Sequence, residues 1–578
     1  MKKFKLSYIG IFLSLIMFFT GCKSNSSPGE PDDHISYSTF ISVDVYDSFA
    51  NVEGIQSGWF AKLIKEKFNM ELNIIAPNVS VNASSLYETR FAAGNIGDLI
   101  ISSGESGKLQ DLVDAGLVID MTRYIERSNL YQKYQTAVTA LNDTVSQEGI
   151  YAIPGDISTM SPDTSCEVLA PSFGTYLRWD YYAELGYPEI STLEDLLPVI
   201  KEMQERHPTS ESGKPVYGFS FFSDWDRTLM TIIKQPCCFY GYDEYGFVLA
   251  KADGTDFQSV LDEESLYMRS LRFYFTANRM GLVDPESKTQ SYNDVFNKTA
   301  DGQVLFGAWP WLAQSAFNTT EHLRSGKAFM FVPIEDEKIY STGCKNTGNM
   351  NKIIAIGSRA EDPARLAAFI DWIYSSDGIR ICGAQANQGT CGPEGLTWEM
   401  TEYGPALTEL GIEALINGNC ELPEEWGGGM WADGTCTLNF SPVTQNELDE
   451  NGYPYYFSQW DSVLSLAQSE IEQNWSEYMD ASTVMEYLNE HDEILVSPGT
   501  DYVAYKETTE LSTIRSQCSS LVVQYSWAMV FAKDEAEFES LYEELILKAE
   551  ALGYKDILEY DMENAMAEGE IKKEILSK

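Results

Sequence analysis

From residue 37 to residue 101 the chain alternates short apolar runs with apolar residues at helical spacing, and no other feature restricts its fold as much. Residues 37–42 read as a strand, and Phe60, Leu63, Ile64 and Phe68 share one helix face. Leu72, Ile74 and Ile75 mark the next strand, 86–93 a helix, and 98–101 a strand buried on both faces. Repeating strand, helix, strand requires a parallel or mixed sheet covered by helices. A second series starts at 176–180. It continues through a helix over 193–203 opened by Thr192, with Asp195 three residues on, and strands at 217–222, 304–306, 329–332 and 353–356. The spacing of Leu366, Phe369, Ile370 and Ile373 predicts a helix over 363–374, and the last third is mostly helical as far as Leu576. The fold class is therefore α/β. Hydrophobic residues at 44% of the 578 positions supply a sizeable core, while 87 acidic against 40 basic residues give a formal net charge of −47. Such a surface repels nucleic acid and anionic headgroups, so no nucleic-acid partner is expected.

The amino terminus reads as an address. Lys2, Lys3 and Lys5 precede an apolar run over 6–19 that Ser7, Gly10 and Ser14 interrupt, too short for a membrane span. Phe19-Thr20-Gly21-Cys22 follows, and then a Ser-, Asn- and Pro-containing stretch with no apolar face. This resembles a bacterial lipobox, with Phe19 where Leu is usual. The resemblance implies that 1–21 are removed as a signal peptide, that Cys22 is lipidated, and that 22–35 form a flexible tether. An ordinary signal peptide with an accidental Cys is the alternative. No second apolar stretch of about 18 residues follows. The expected location is thus the extracytoplasmic face of the cell membrane, held by acyl chains alone.

Reacting groups are scarce. The sequence has no Gly-x-Ser-x-Gly elbow, His-Glu-x-x-His, phosphate loop, Gly-x-Gly-x-x-Gly or calcium loop. The four His are far apart and the nine cysteines after Cys22 show no Cys-x-x-Cys spacing, so neither a metal nor another cofactor is expected. Cys382 with Cys391, and Cys420 with Cys436, could close short disulfide loops, though spacing does not fix pairing. A glycosidase needs only two carboxylates and stays open.

Aromatic rings beside strand ends are the stronger signal. The run 304–306 enters Gly307-Ala308-Trp309-Pro310-Trp311, where a proline between two indoles ends the strand and turns at least one ring outward. An exposed indole can pack on the apolar face of a pyranose while carboxylates and amides take the ring-edge hydroxyls. Core filling is the competing explanation for both rings. Trp225 and Asp226 follow another apolar run, with Asp226 suited equally to capping a helix over 227–233. Ser102, Ser103 and Glu105 follow the strand at 98–101, where ligands of open α/β sheets collect, and where a helix cap is the other reading. Trp431 follows three glycines, 427–429, on a loop suited to a lid or to tucking one ring away.

Taken in order, several motifs resemble those of the extracellular solute-binding lipoproteins of ABC importers, the sugar-binding family that includes maltose-binding protein. They are Gly97-Asp98-Leu99-Ile100, the stretch from Gly116 to Met121, Ile150 to Pro154, Tyr176 to Asp180, Asp301-Gly302-Gln303, Gly307 to Trp311, and Asn351-Lys352-Ile353. The stretch from Gly392 to Glu399, which holds Trp398, closes the set. The resemblance implies a two-lobed periplasmic-binding-protein-like fold of type II, mixed sheets flanked by helices, with a ligand cleft between the lobes. It puts 36–153 with 348–387 in one lobe, 176–335 with 391–578 in the other, and crossing segments at 154–175 and 336–347. Ser102, Ser103, Glu105, Trp225, Asp226, Trp309, Trp311, Trp398 and Trp431 become the candidate ligand contacts. The implied activity is capture of a carbohydrate, an oligosaccharide, for an ABC importer permease by a monomer with no catalytic residues. A surface carbohydrate-active hydrolase, a receptor of this fold for peptide or another polar solute, and an adhesion lipoprotein are the alternatives.

Overall fold

A computed structural model describes residues 37–79, 83–466 and 468–578. The expected signal peptide, Cys22 and the tether lie outside the described residues. The chain first lays down β1 (Ile41–Asp47), β2 (Gly54–Ile55), β3 (Met70–Ile75), β4 (Leu99–Ser102) and β5 (Ile153–Gly155). After a first crossing come β6 (Tyr176–Arg178), β7 (Phe306–Gly307) and β8 (Phe329–Phe331). A second crossing contains β9 (Ile339–Thr342) and returns the chain to the first lobe as β10 (Asn349–Ile356).

The first sheet has the order β2-β3-β1-β4-β10-β5, with β3 and β4 parallel to β1 and β10 antiparallel to β4 and β5. Its central strand β4 and the end of β10 are apolar on both sides because both sides are covered there. Leu99, Ile101, Ile354 and Ile356 enter one core, while Ile100, Ile353 and Ala355 enter another on the opposite face. The helix Gly58–Phe68 covers the first of these with Trp59, Phe60, Ile64 and Phe68. Left-handed Asn69, at φ 48°, ends that helix, and its amide donates to the Lys65 carbonyl.

The second sheet has the order β7-β6-β8, all antiparallel, widened by parallel bridges from Tyr217 to Val304 and from Phe219 to Val283. The expected strand at 217–222 is reduced to those two bridges. The carboxy-terminal helices Thr509–Val530, Glu535–Leu552 and Tyr554–Leu576 complete this lobe, burying Cys518, Met529, Phe538, Leu545 and Ile557 in its core.

Two expectations are corrected. The sequence reading assigned all of 391–578 to the second lobe, yet Leu396, Leu422, Trp431, Leu438, Phe440 and Tyr455 belong to the first core. This insertion docks through backbone: the Asn439 amide donates to Asp47 Oδ2 at 2.8 Å, and the Asp156 amide to the Ser441 carbonyl at 2.8 Å. The chain also crosses a third time, between Tyr456 in the first core and Ile471 in the second, and a strand of the second lobe then packs on the second crossing. β11 (Ile494–Ser497) pairs in parallel with β9, while on the other side of the second crossing the amides of Cys166 and Cys344 donate to Thr342 and Thr164. Glycine permits this packing, since a Cβ on Gly343 would lie 2.4 Å from the Pro162 carbonyl oxygen and 2.6 Å from that of Ser497. All nine described cysteines are free thiols, so neither short disulfide loop forms. No helix among the described residues is long and apolar enough to cross a membrane.

Candidate functional site

Strand direction places one edge of each sheet toward the crossings. In the first lobe β1 and β4 end at Asp47 and Ser102, antiparallel β10 starts beside them at Asn349, and β5 ends at Gly155. In the second lobe β6 starts at Tyr176 opposite the ends of β7 and β8. The first crossing leaves from the Gly155 edge and enters at the Tyr176 edge, and the second runs back between the same two edges. Strand ends of this kind are where ligands of α/β sheets collect.

Beside the crossings lies a pocket of about 700 Å3 whose wall draws on both lobes, including Asp156, Asn349 and Gln388 from the first and Glu568 and Lys572 from the second. Its character is that of hydroxyls, amides and balanced charges. Left-handed Asp156, at φ 48°, is pushed above the usual carboxylate range by burial, against the pull of Lys352 and of hydrogen bonds from Asn349 and Ser441. Glu167 accepts from the Ser172 amide at 2.6 Å and from the hydroxyls of Ser172 and Ser341. Glu568 accepts from the Thr500 hydroxyl at 3.0 Å and pairs with Lys572 at 3.4 Å. Burial pushes the Cys166 thiol up to about 12, so it enters the wall as a neutral group and not as a nucleophile.

An aromatic shelf stands at the edge of the second sheet. Trp309 caps the amino end of the helix Pro310–Phe317, where Pro310 supplies the first-turn position that needs no N–H. Its ring is 6% exposed, whereas Trp225 and Trp311 are 39% and 41% exposed. The centroids of Trp225 and Trp311 are 5.7 Å apart, each lies about 6 Å from Trp309 (6.1 and 5.6 Å), and Tyr292 stacks on Trp225 at 5.0 Å. The Asp224 carboxylate holds this corner by accepting from the Tyr292 amide at 2.8 Å. Shelf and pocket adjoin through the backbone. The Gly174 amide donates to the Ala308 carbonyl at 3.1 Å, and Ser172, two residues earlier, is on the pocket wall.

Other candidates from the sequence fall elsewhere. Asp226 accepts from the Thr231 amide at 2.9 Å and from the Trp527 indole at 2.7 Å, so both oxygens hold the fold together; the helix starts at Thr231, later than expected. Trp398 is 3% exposed, donates to the Gly392 carbonyl and packs with Cys391 and Trp460. Trp431 is 2% exposed and stacks on Trp59 at 4.4 Å. Both are core residues, because each ring finds a partner that local sequence does not reveal. Ser102 is buried in β4, Ser103 accepts from the Glu105 amide, and Glu105 is exposed; all three stand at the first sheet's crossing edge. Gln388, Asn349 and Thr444 on the pocket wall escaped sequence reasoning, since polar residues in aperiodic stretches carry no spacing signal.

No family model matches the chain, and no curated protein matches it. Solved structures do. It superposes on the Streptococcus pneumoniae ABC-transporter substrate-binding protein FusA in complex with kestose at TM-score 0.59 and 13% identity, over 91% of this chain and 98% of that one. An HMO-binding ABC-transporter-associated solute-binding protein from Bifidobacterium longum infantis gives TM-score 0.57 at 13% identity over 91% and 98%. The alginate-binding protein AlgQ2 gives 0.56 at 13% over 92% and 98%. The chain therefore has the two-lobed α/β fold of ABC-transporter solute-binding proteins.

Proposed function

We propose that the protein is a carbohydrate-binding receptor, lipid-anchored through Cys22 on the extracytoplasmic face, that captures an oligosaccharide between its lobes and delivers it to an ABC importer. The observation that carries this reading is the pair of exposed indoles, Trp225 and Trp311, on a sheet edge that adjoins a hydroxyl- and amide-lined pocket between the lobes. A flat aromatic shelf takes the C–H face of successive sugar rings, and the polar wall takes the hydroxyls. The structural neighbours support the reading: FusA is in complex with kestose, and the Bifidobacterium protein is HMO-binding.

Binding needs no bond to change. A ligand touching both edges gains contacts only in the closed arrangement and shifts the population of a hinge built from two packed crossings with β11 beside them. An affinity of about 1 μM, near −8 kcal/mol, captures solute and still permits release. A thermal-shift screen against mono- and oligosaccharides tests the proposal. At ligand about 100-fold above Kd the protein gains roughly 2.7 kcal/mol, a visible rise in Tm. A rise with short peptides and none with any sugar refutes it, as does measurable hydrolysis of a bound glycan.

A further inference from the structure

From Thr500 on the wall of the interlobe pocket, the chain runs outward along the helix Tyr554–Leu576. The Thr500 hydroxyl donates to Glu568 at 3.0 Å, the Tyr502 hydroxyl to Asn564 at 2.6 Å and the Tyr505 hydroxyl to Glu563 at 3.2 Å. The Tyr560 hydroxyl in turn donates to the Tyr505 carbonyl. Extended backbone advances about 3.3 Å per residue and helix about 1.5 Å, so these contacts keep step, and the level of Tyr560 lies about 12 Å along the helix from Glu568. At that level the surface is open and partly apolar, with Val503 55% and Tyr505 54% exposed. The Tyr505 ring is nevertheless held in place. It meets Tyr560 edge to face at 4.6 Å and 72°, and its hydroxyl is bound to Glu563. An exposed ring already fixed in orientation loses little freedom when a ligand stacks on it.

The two aromatic surfaces leave the pocket by different flanks. β11, which Thr500 follows, pairs on one side of the second crossing, and the first crossing, which carries Ser172, pairs on the other through the Ser165 to Gly343 bridge. The indoles Trp225 and Trp311 adjoin the Ser172 flank through the contact of Gly174 with Ala308, and Tyr505 continues the Thr500 flank. A glycan too long for the pocket must leave it by a flank, and each flank leads to an exposed ring that can take the C–H face of a sugar. We infer that Tyr505 is a further stacking subsite outside the interlobe pocket, and that the protein favours chains long enough to run from the indole shelf through the pocket to this ring over mono- and disaccharides. The inference rests on the carbohydrate reading above and specifies the length of its ligand and where the far end of that ligand lies.

Isothermal calorimetry tests it with malto-, cello-, manno- and fructo-oligosaccharides, each from the disaccharide to the hexasaccharide. In the series that binds, the hexasaccharide should be about tenfold or more tighter than the disaccharide. Tyr505→Ala should weaken the hexasaccharide about fivefold or more while leaving disaccharide affinity and the Tm of the unliganded protein unchanged. Tyr505→Phe, which keeps the ring, should bind the hexasaccharide as the wild type does. A hexasaccharide no tighter than the disaccharide overturns the inference and leaves the carbohydrate reading standing. So does a Tyr505→Ala variant that loses affinity equally for both lengths or for neither. A Tyr505→Phe variant as weak as Tyr505→Ala makes the hydroxyl, and not stacking, the contact, and overturns the assignment of the ring. Failure of every sugar to bind defeats the carbohydrate reading itself.

Discussion

Trp309 and Trp311 flank one proline, and their exposures of 6% and 41% separate two consequences of losing an indole. Trp311→Ala and Trp225→Ala should each weaken glycan binding roughly tenfold or more, about 1.4 kcal/mol, with little change in unliganded Tm. Trp309→Ala should lower stability by about 3–5 kcal/mol, because its ring also contacts Phe222 in the core of the second lobe. Denaturation and calorimetry on the three variants separate these outcomes; equal loss of stability in all three would show that the shelf is only core. Asp47 makes a pH prediction. Burial raises its carboxyl from 3.8 to about 6, against amide donors at Phe49 and Asn439 and the charge of Lys352. Between about 4 and 6 the unfolded state has lost this proton while the folded state keeps it. Stability therefore falls as pH rises through that window, by about 3 kcal/mol, and levels above it. The wild-type slope should exceed that of Asp47→Asn over this range, and a carboxyl 13C titration of Asp47 with a midpoint near 4 would contradict the assignment. Sequence made the Trp309 and Trp311 turn legible because proline forces it locally. It misjudged Trp431, whose burial is decided by Trp59, 372 positions earlier in the chain.

The helix Ser376–Gln385 and the insertion that follows it are joined by a buried ion pair. Arg380 donates to Asp449 at 2.5 Å, with side chains 6% and 4% exposed, and the guanidinium also lies over the rings of Trp398 and Tyr455 at 4.8 and 5.0 Å. Asp449→Ala leaves the arginine buried and uncompensated and should cost about 3–5 kcal/mol, read as a lower denaturation midpoint. A loss below 1 kcal/mol would mean that the insertion is not anchored there. Periodic elements were readable in advance. Thr192 and Asp195 form a complete capping box before Leu196–Arg206, and Pro363–Ile373 buries Leu366, Phe369, Ile370 and Ile373. The insertion was not, since it is built from short turns and single bridges whose apolar residues follow no period, and its place beside β1 and β5 depends on backbone contacts.

Across the whole molecule, two α/β series were readable from alternation, but the packing of β11 on the second crossing was not, because β11 pairs with a strand about 150 residues earlier. Gly343→Ala should separate the packed crossings, costing about 1–3 kcal/mol and blunting the fall in radius of gyration that small-angle scattering should record on glycan binding. An unchanged radius at saturating glycan would argue against lobe closure. The second lobe carries a further consequence. Asp561 accepts from the Phe247 amide at 2.7 Å and pairs with Arg515 at 2.5 Å, and Ile557 lies in the same interior as Leu177. A ribosome must therefore emit residues through about 560 before that interior can close. Until then the second lobe of the nascent polypeptide stays open, although the first lobe's core already has all of its residues once Tyr456 has emerged.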